Sequence, residues 1–180
     1  VGSTGFDSVL RLADDPMAAR IVWDIRLPRS LGAWLAGALL GLSGAVAQGL
    51  FRNPLAEPFL LGSASGASLG VAAALALFGA APATAWLAKL GLTGAAFVGA
   101  VVAVLLTLQL ARGVQHTLRL LLAGVIVGVV LGAIKDLITL ASPDIIAAMQ
   151  GFNLGSAGFI GWASCVLMLL AWCVCMAGAW

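Results

Sequence analysis

Five long apolar runs alternate with short polar breaks along the chain. They cover roughly Leu31–Leu50, Phe59–Ala81, Leu92–Ala111, Leu120–Ala141 and Phe159–Trp180. Each approaches the ~20 residues a helix needs to cross a hydrocarbon core. Four of the runs carry no charge, and the exception holds Lys135 and Asp136. Nothing alternates with period two, and a lipid-facing sheet would have to close on itself. The pattern predicts an all-α polytopic membrane protein with about five transmembrane helices.

The breaks carry the turn signals. They are Arg52–Pro58, Pro82–Gly91, Arg112–Arg119 and Ser142–Gly158. In the first, "FRNPLAEP", Pro54 and Pro58 lack an amide hydrogen and restrict the residue before each. A helix arriving from Leu31 should therefore stop near Asn53, whose side chain suits loose backbone groups at a break. Arg52 and Glu57 can reach water or each other there. Gln48 is polar inside an apolar helix end, and Ser63 and Ser65 stand among glycines at the start of the next run. The last break contains "PDIIAAMQGF". Pro143 suits a helix N1 position and Gly151 a C-terminal stop, so a short helix beside or dipping into the membrane is expected.

Small residues form rows at four-residue spacing: Gly37 with Gly41, then Gly62, Gly66 and Gly70, and Gly124, Gly128 and Gly132. Such rows let helix backbones approach where no hydrophobic effect drives association. They predict a packed bundle.

Composition agrees with the pattern. The chain has 180 residues, 62% hydrophobic and 9% charged, against about 25% charged in soluble domains. The formal net charge of +2 and the scattered arginines give no nucleic-acid surface. Basic residues flank both ends of the runs, so charge counting sets no orientation. Trp23, Trp34, Trp86 and Trp162 fall on one side, as an interfacial belt would. Cys165, Cys173 and Cys175 all lie in the last run and read as packing residues. The only histidine, His116, falls in a loop, and no metal-ligand cluster is expected. The chain opens on Val1 and closes on Trp180 within an apolar run, which reads as a fragment of something longer. Residues 1–29 read as a mixed, polar lead-in to a membrane domain over 30–180.

The stretch "IRLPRSLGAWLAGALLGLSGAVAQGLFRNPLAEPFLLGSASGASLG" closely resembles permeases of the FecCD type. The matching positions are Arg26-Leu27-Pro28-Arg29, Gly44, Gln48, Asn53-Pro54-Leu55-Ala56, Pro58, Leu61 and Gly62, and "LRLLLAGVIVG" fits a later helix. Such permeases are membrane subunits of bacterial ABC importers for iron–siderophore complexes, haem or cobalamin. The resemblance implies a ten-helix fold, of which this chain would supply helices two to six. It also implies the inner membrane, a second permease copy, separate ATPase subunits and a periplasmic binding protein.

By the same resemblance the RLPR segment is periplasmic, and Arg26 and Arg29 receive acidic residues of the binding protein. Guanidinium pairs bidentately with carboxylate, so the chemistry is sound. Gln48, Asn53, Pro54, Pro58 and Gly62 identify the family and build a cytoplasmic-side joint. The region from Leu120 to Gly158 matches the pathway-lining part, with Lys135, Asp136, Gln150 and Asn153 as candidate lining residues.

Lys135 lies near a helix end and can snorkel. Neighbours on a helix point about 100° apart, so Lys135 and Asp136 are not expected to face each other. No GxxxxGK phosphate loop occurs, no cofactor is implied, and no convergent catalytic set marks an enzyme. An ion-coupled secondary transporter is the alternative, resting on the intramembrane Asp136.

Overall fold

A computed structural model of the chain describes residues 16–79, 86–112 and 117–179. Every regular element among them is helical. The chain divides into two compact units: the described residues up to Ala45 with those from Ser156 onward, and Val46–Gly155.

In the first unit, α1 (Pro16–Arg20) runs through a π-helical turn, Ile21–Arg26, into α2 (Leu27–Phe51). The wide turn has a physical cause in Pro28. Proline donates no amide hydrogen, and its ring crowds the carbonyl four residues back. A π register relieves that crowding. Its signature is the Leu27 N–H bonding to the Val22 carbonyl, five residues back. The helix thus passes the 29/30 position without a break.

The other helix of this unit is α7 (Trp162–Ala179), preceded by a 3-10 turn, Ala157–Phe159. Gly32 lets α2 and α7 close, since a Cβ there would drive into Ile160 and crowd Met168. Cys165 is buried, and its thiol contacts the Pro28 carbonyl at 3.2 Å. Cys173 and Cys175 are exposed, so one cysteine of the three packs as expected.

The second unit holds the end of α2, a 3-10 turn at Pro58–Leu61, α3 (Ser63–Phe78), α4 (Trp86–Leu110) and α5 (Thr117–Ala141). A further 3-10 turn, Pro143–Ile145, leads into α6 (Ile146–Leu154). The α3–α4 seam is built from absent side chains. A Cβ on Gly66 would collide with the Gly99 carbonyl, one on Gly70 with the Ala95 carbonyl, and one on Gly99 with the Gly66 carbonyl. Gly124 of α5 lies under the Leu60 carbonyl in the same way. Two of the glycine rows therefore pack helices, as the spacing predicts. Gly37, Gly41 and Gly132 meet nothing within 4 Å among the described residues.

Two apolar clusters complete this unit. Ala47, Phe51 and Ala56 gather Leu60, Leu61, Leu120 and Leu121 around them. Val71, Ala72 and Leu75 of α3 bury Ile145 and Met149, which fixes α6 against α3.

The spans differ in length from the hydropathy pattern. Ile21–Phe51, Gly91–Leu110 and Leu118–Ala141 are long and apolar enough to cross a membrane. Ser63–Phe78 and Trp162–Gly178 are shorter apolar helices. The second run loses its first turn because Gly62 is left-handed at φ 76° and resets the backbone. Gly79, at φ 79°, ends the helix at Phe78. The short helix also ends later than expected. It passes through Gly151 and stops at Leu154, where Gly155 takes φ 67°. A mid-helix glycine is only unfavourable, whereas a positive φ needs one. Ala81, His116 and Trp180 lie outside the described residues, as do the side chains of Trp86 and Lys89.

Candidate functional site

The break after α2 is a built joint. Phe51 is the last helical residue, and Arg52 takes a left-handed φ of 48°. The Arg52 N–H bonds to the Gly49 carbonyl at 3.4 Å, and the Asn53 N–H to the Gln48 carbonyl at 3.2 Å. These two bonds make a Schellman cap, with arginine at the C′ position where glycine is usual. Gln48 therefore contributes its carbonyl, while its side chain is exposed.

Asn53 then nucleates the turn. Its Oδ1 accepts from the Leu55 N–H at 2.9 Å, and its carbonyl accepts from the Ala56 N–H at 3.1 Å. Pro54 sits between them, where its fixed φ suits a turn. Pro58 opens the following 3-10 turn at N1/N2, and Gly62 closes it with its N–H on the Phe59 carbonyl at 2.9 Å. Gly62 also has no room for a side chain, since a Cβ would press on Gly124 and Gly128. The joint leaves Arg52 and Glu57 exposed, and no ion pair forms between them.

One contributor was not visible in the pattern. Thr107 of α4 is fully buried, and its hydroxyl donates to the Leu61 carbonyl at 2.9 Å. The available signal was its place at the foot of an i+4 ladder of small residues, Ala95, Gly99 and Ala103. Ser63 and Ser65, the polar residues that stand out by sequence, are half-buried at the start of α3.

Near the far end of α5, Lys135 and Asp136 do meet: Nζ lies 2.6 Å from Oδ1. This corrects the expectation from the 100° offset. Four methylenes let the ammonium bend round the helix to its neighbour. Lys135 is 23% exposed and Asp136 72%, so the lysine is tucked in and the carboxylate points outward. The Thr139 hydroxyl caps the Lys135 carbonyl at 2.8 Å. Met149 of α6 and Ile145 of the 3-10 turn before it face α3, while Gln150 and Asn153 are exposed and three apart on one side of α6.

In the first unit Arg26 is half-buried at the end of the π turn, and Arg29 is exposed on the first turn of α2. Asp24 is exposed two residues earlier. The Trp162 indole N–H donates to the Trp23 carbonyl at 3.1 Å, and the two rings lie 5.4 Å apart. Trp34 is exposed on α2. No group of three or more His, Cys, Asp or Glu that could hold a metal occurs among the described residues.

The geometry has a match among known proteins. The family model of the FecCD transport family fits residues 2–180. The chain belongs to that family. The vitamin B12 import system permease protein BtuC of Escherichia coli strain K12 / DH10B is 40% identical over 166 residues, 89% of this chain and 49% of that protein. BtuC of Shigella boydii serotype 18 matches to the same extent.

A solved structure, described as an inward-facing conformation of a protein assigned to the metal-chelate type of ABC transporter, superposes with a TM-score of 0.78 at 25% identity. It covers 91% of this chain and 51% of the solved one. The chain thus spans about half the length of the relatives it matches. Its helices are a partial FecCD permease fold, and it is a multi-pass membrane protein.

Proposed function

We propose that this chain is part of the membrane permease of an ATP-driven importer that carries a metal chelate across a bacterial inner membrane. The observation that carries the reading is the 40% identity to vitamin B12 import permeases over 89% of the chain. The capped, proline-framed joint at Arg52–Gly62 supports it, because the motif residues there have specific structural work. Cobalamin is the first cargo to test, with iron–siderophore and haem complexes as the others the family admits.

The partners follow from that reading: a separate ATPase, a periplasmic binding protein and a second permease copy. Arg29, exposed at the start of α2, and Arg26 beside it are the docking candidates for acidic residues of the binding protein. Lys135, Asp136, Gln150 and Asn153 are the polar candidates for the pathway.

The decisive experiment reconstitutes the intact protein with its ATPase and measures uptake of labelled cobalamin. ATP-dependent uptake supports the importer. Uptake that ignores ATP and collapses with the proton gradient would replace it with an ion-coupled transporter. Charge reversal of Arg26 and Arg29 should weaken binding-protein affinity at low salt, and unchanged affinity would remove the docking role.

A further inference from the structure

Three arginines converge at one end of the second unit. Arg52 follows the last turn of α2. Arg112 lies five residues beyond Thr107, whose hydroxyl is bound to the joint at Leu61. Arg119 precedes Leu120 and Leu121, which pack on Phe51 and Ala56 beside the same joint. All three side chains are exposed, and none forms an ion pair among the described residues. The one carboxylate of the joint, Glu57, is exposed and leaves an excess of positive charge.

Each arginine has a large exposed apolar neighbour within two residues. Leu50 is 49% exposed, Leu110 56% and Leu118 75%. A partner covering this end must therefore offer anionic groups and hydrocarbon side by side. Arg52 and Arg112 follow the membrane-length helices that end at Phe51 and Leu110, and Arg119 stands at the start of the one that begins at Leu118, so this end lies at headgroup level. An anionic phospholipid supplies both charge and hydrocarbon there, with a phosphate that guanidinium grips bidentately.

Arg52 adds an independent sign. Its left-handed backbone at φ 48° is where a helix cap favours glycine, so an arginine stands here against the preference of the turn. We propose that Arg52, Arg112 and Arg119 form a binding surface for the headgroups of anionic phospholipids at this end of the bundle.

The turn makes the test sharp. Arg52→Gly suits the left-handed cap, so the intact protein should keep or raise its melting temperature. Native mass spectrometry of the protein from phosphatidylethanolamine vesicles with and without phosphatidylglycerol reads the retained lipid. Arg52→Gly should lower retained phosphatidylglycerol about fivefold, the equivalent of one surface arginine. Arg112→Gln and Arg119→Gln, outside the cap, should each do the same, and phosphatidylethanolamine should not change.

Phosphatidylglycerol retention equal to the parent in all three variants would overturn the proposal. So would displacement of the lipid by inorganic phosphate alone, which would mark a simple anion site. An acidic soluble protein that binds the parent in detergent, but not the variants, while lipid retention stays constant, would reassign the surface. Lipid retention is read without transport, so the outcome is independent of the cargo.

Discussion

The Thr107 hydroxyl ties α4 to the Leu61 carbonyl, 2.9 Å away and 46 residues earlier in the chain. Thr107 is fully buried, so its hydroxyl has no access to water. Thr107→Val keeps the shape and removes the donor. Interhelical bonds of this kind in membranes average about 0.6 kcal/mol and reach about 1.7. The donor is fully buried, so the loss should fall in the upper part of that range. Thermal unfolding of the intact protein in detergent measures it. Thr107→Ser should recover most of the loss, and a Val variant as stable as the parent would show that the bond contributes nothing.

Gly124 and Gly128 stand one turn apart on α5 but should respond oppositely to a methyl group. A Cβ on Gly124 would run into the Leu60 carbonyl, whose backbone is held in the 3-10 turn. At Gly128 the nearest atoms are the Ser65 hydroxyl at 3.6 Å and the Gly62 Cα at 3.7 Å, ordinary contacts. Gly124→Ala should cost more than the 1–3 kcal/mol typical of overpacking, because backbone must move. Gly128→Ala should be tolerated and gain slightly from helix propensity. Folded yield and melting temperature of the two variants decide the matter, and equal behaviour would contradict this packing.

Much of this architecture was readable from the sequence because membrane helices announce themselves by long apolar runs and their breaks by proline. The stop near Asn53 and the packing rows at Gly62–Gly70 and Gly124–Gly128 follow from residue type alone. Hydropathy could not see where a span bends. Gly62 is apolar by composition, yet its φ of 76° ends one helical segment and starts another. Thr107 stayed hidden for a related reason: a single threonine in an apolar run is common, and only the approach of a non-local carbonyl gives it a role. The Lys135–Asp136 contact was missed because backbone spacing fixes where a side chain starts and not how far a flexible one bends.

That contact has a measurable consequence. Within the Leu118–Ala141 span, Lys135 and Asp136 together carry no net charge. Removing one partner leaves a lone charge in an apolar segment, which is costly. Asp136→Asn and Lys135→Gln should therefore each destabilise the protein, and the double variant should lose less than the sum of the two. Coupling between contacting charged residues spans about 0.5–3 kcal/mol. The outward carboxylate, 72% exposed, places this pair in the lower half of that range. A double-mutant cycle on melting temperature, repeated at high salt, tests it. Additive effects would mean that the two residues act separately. In that case Asp136 would regain its standing as an independent polar group along the pathway, to be tested by uptake in the single variant.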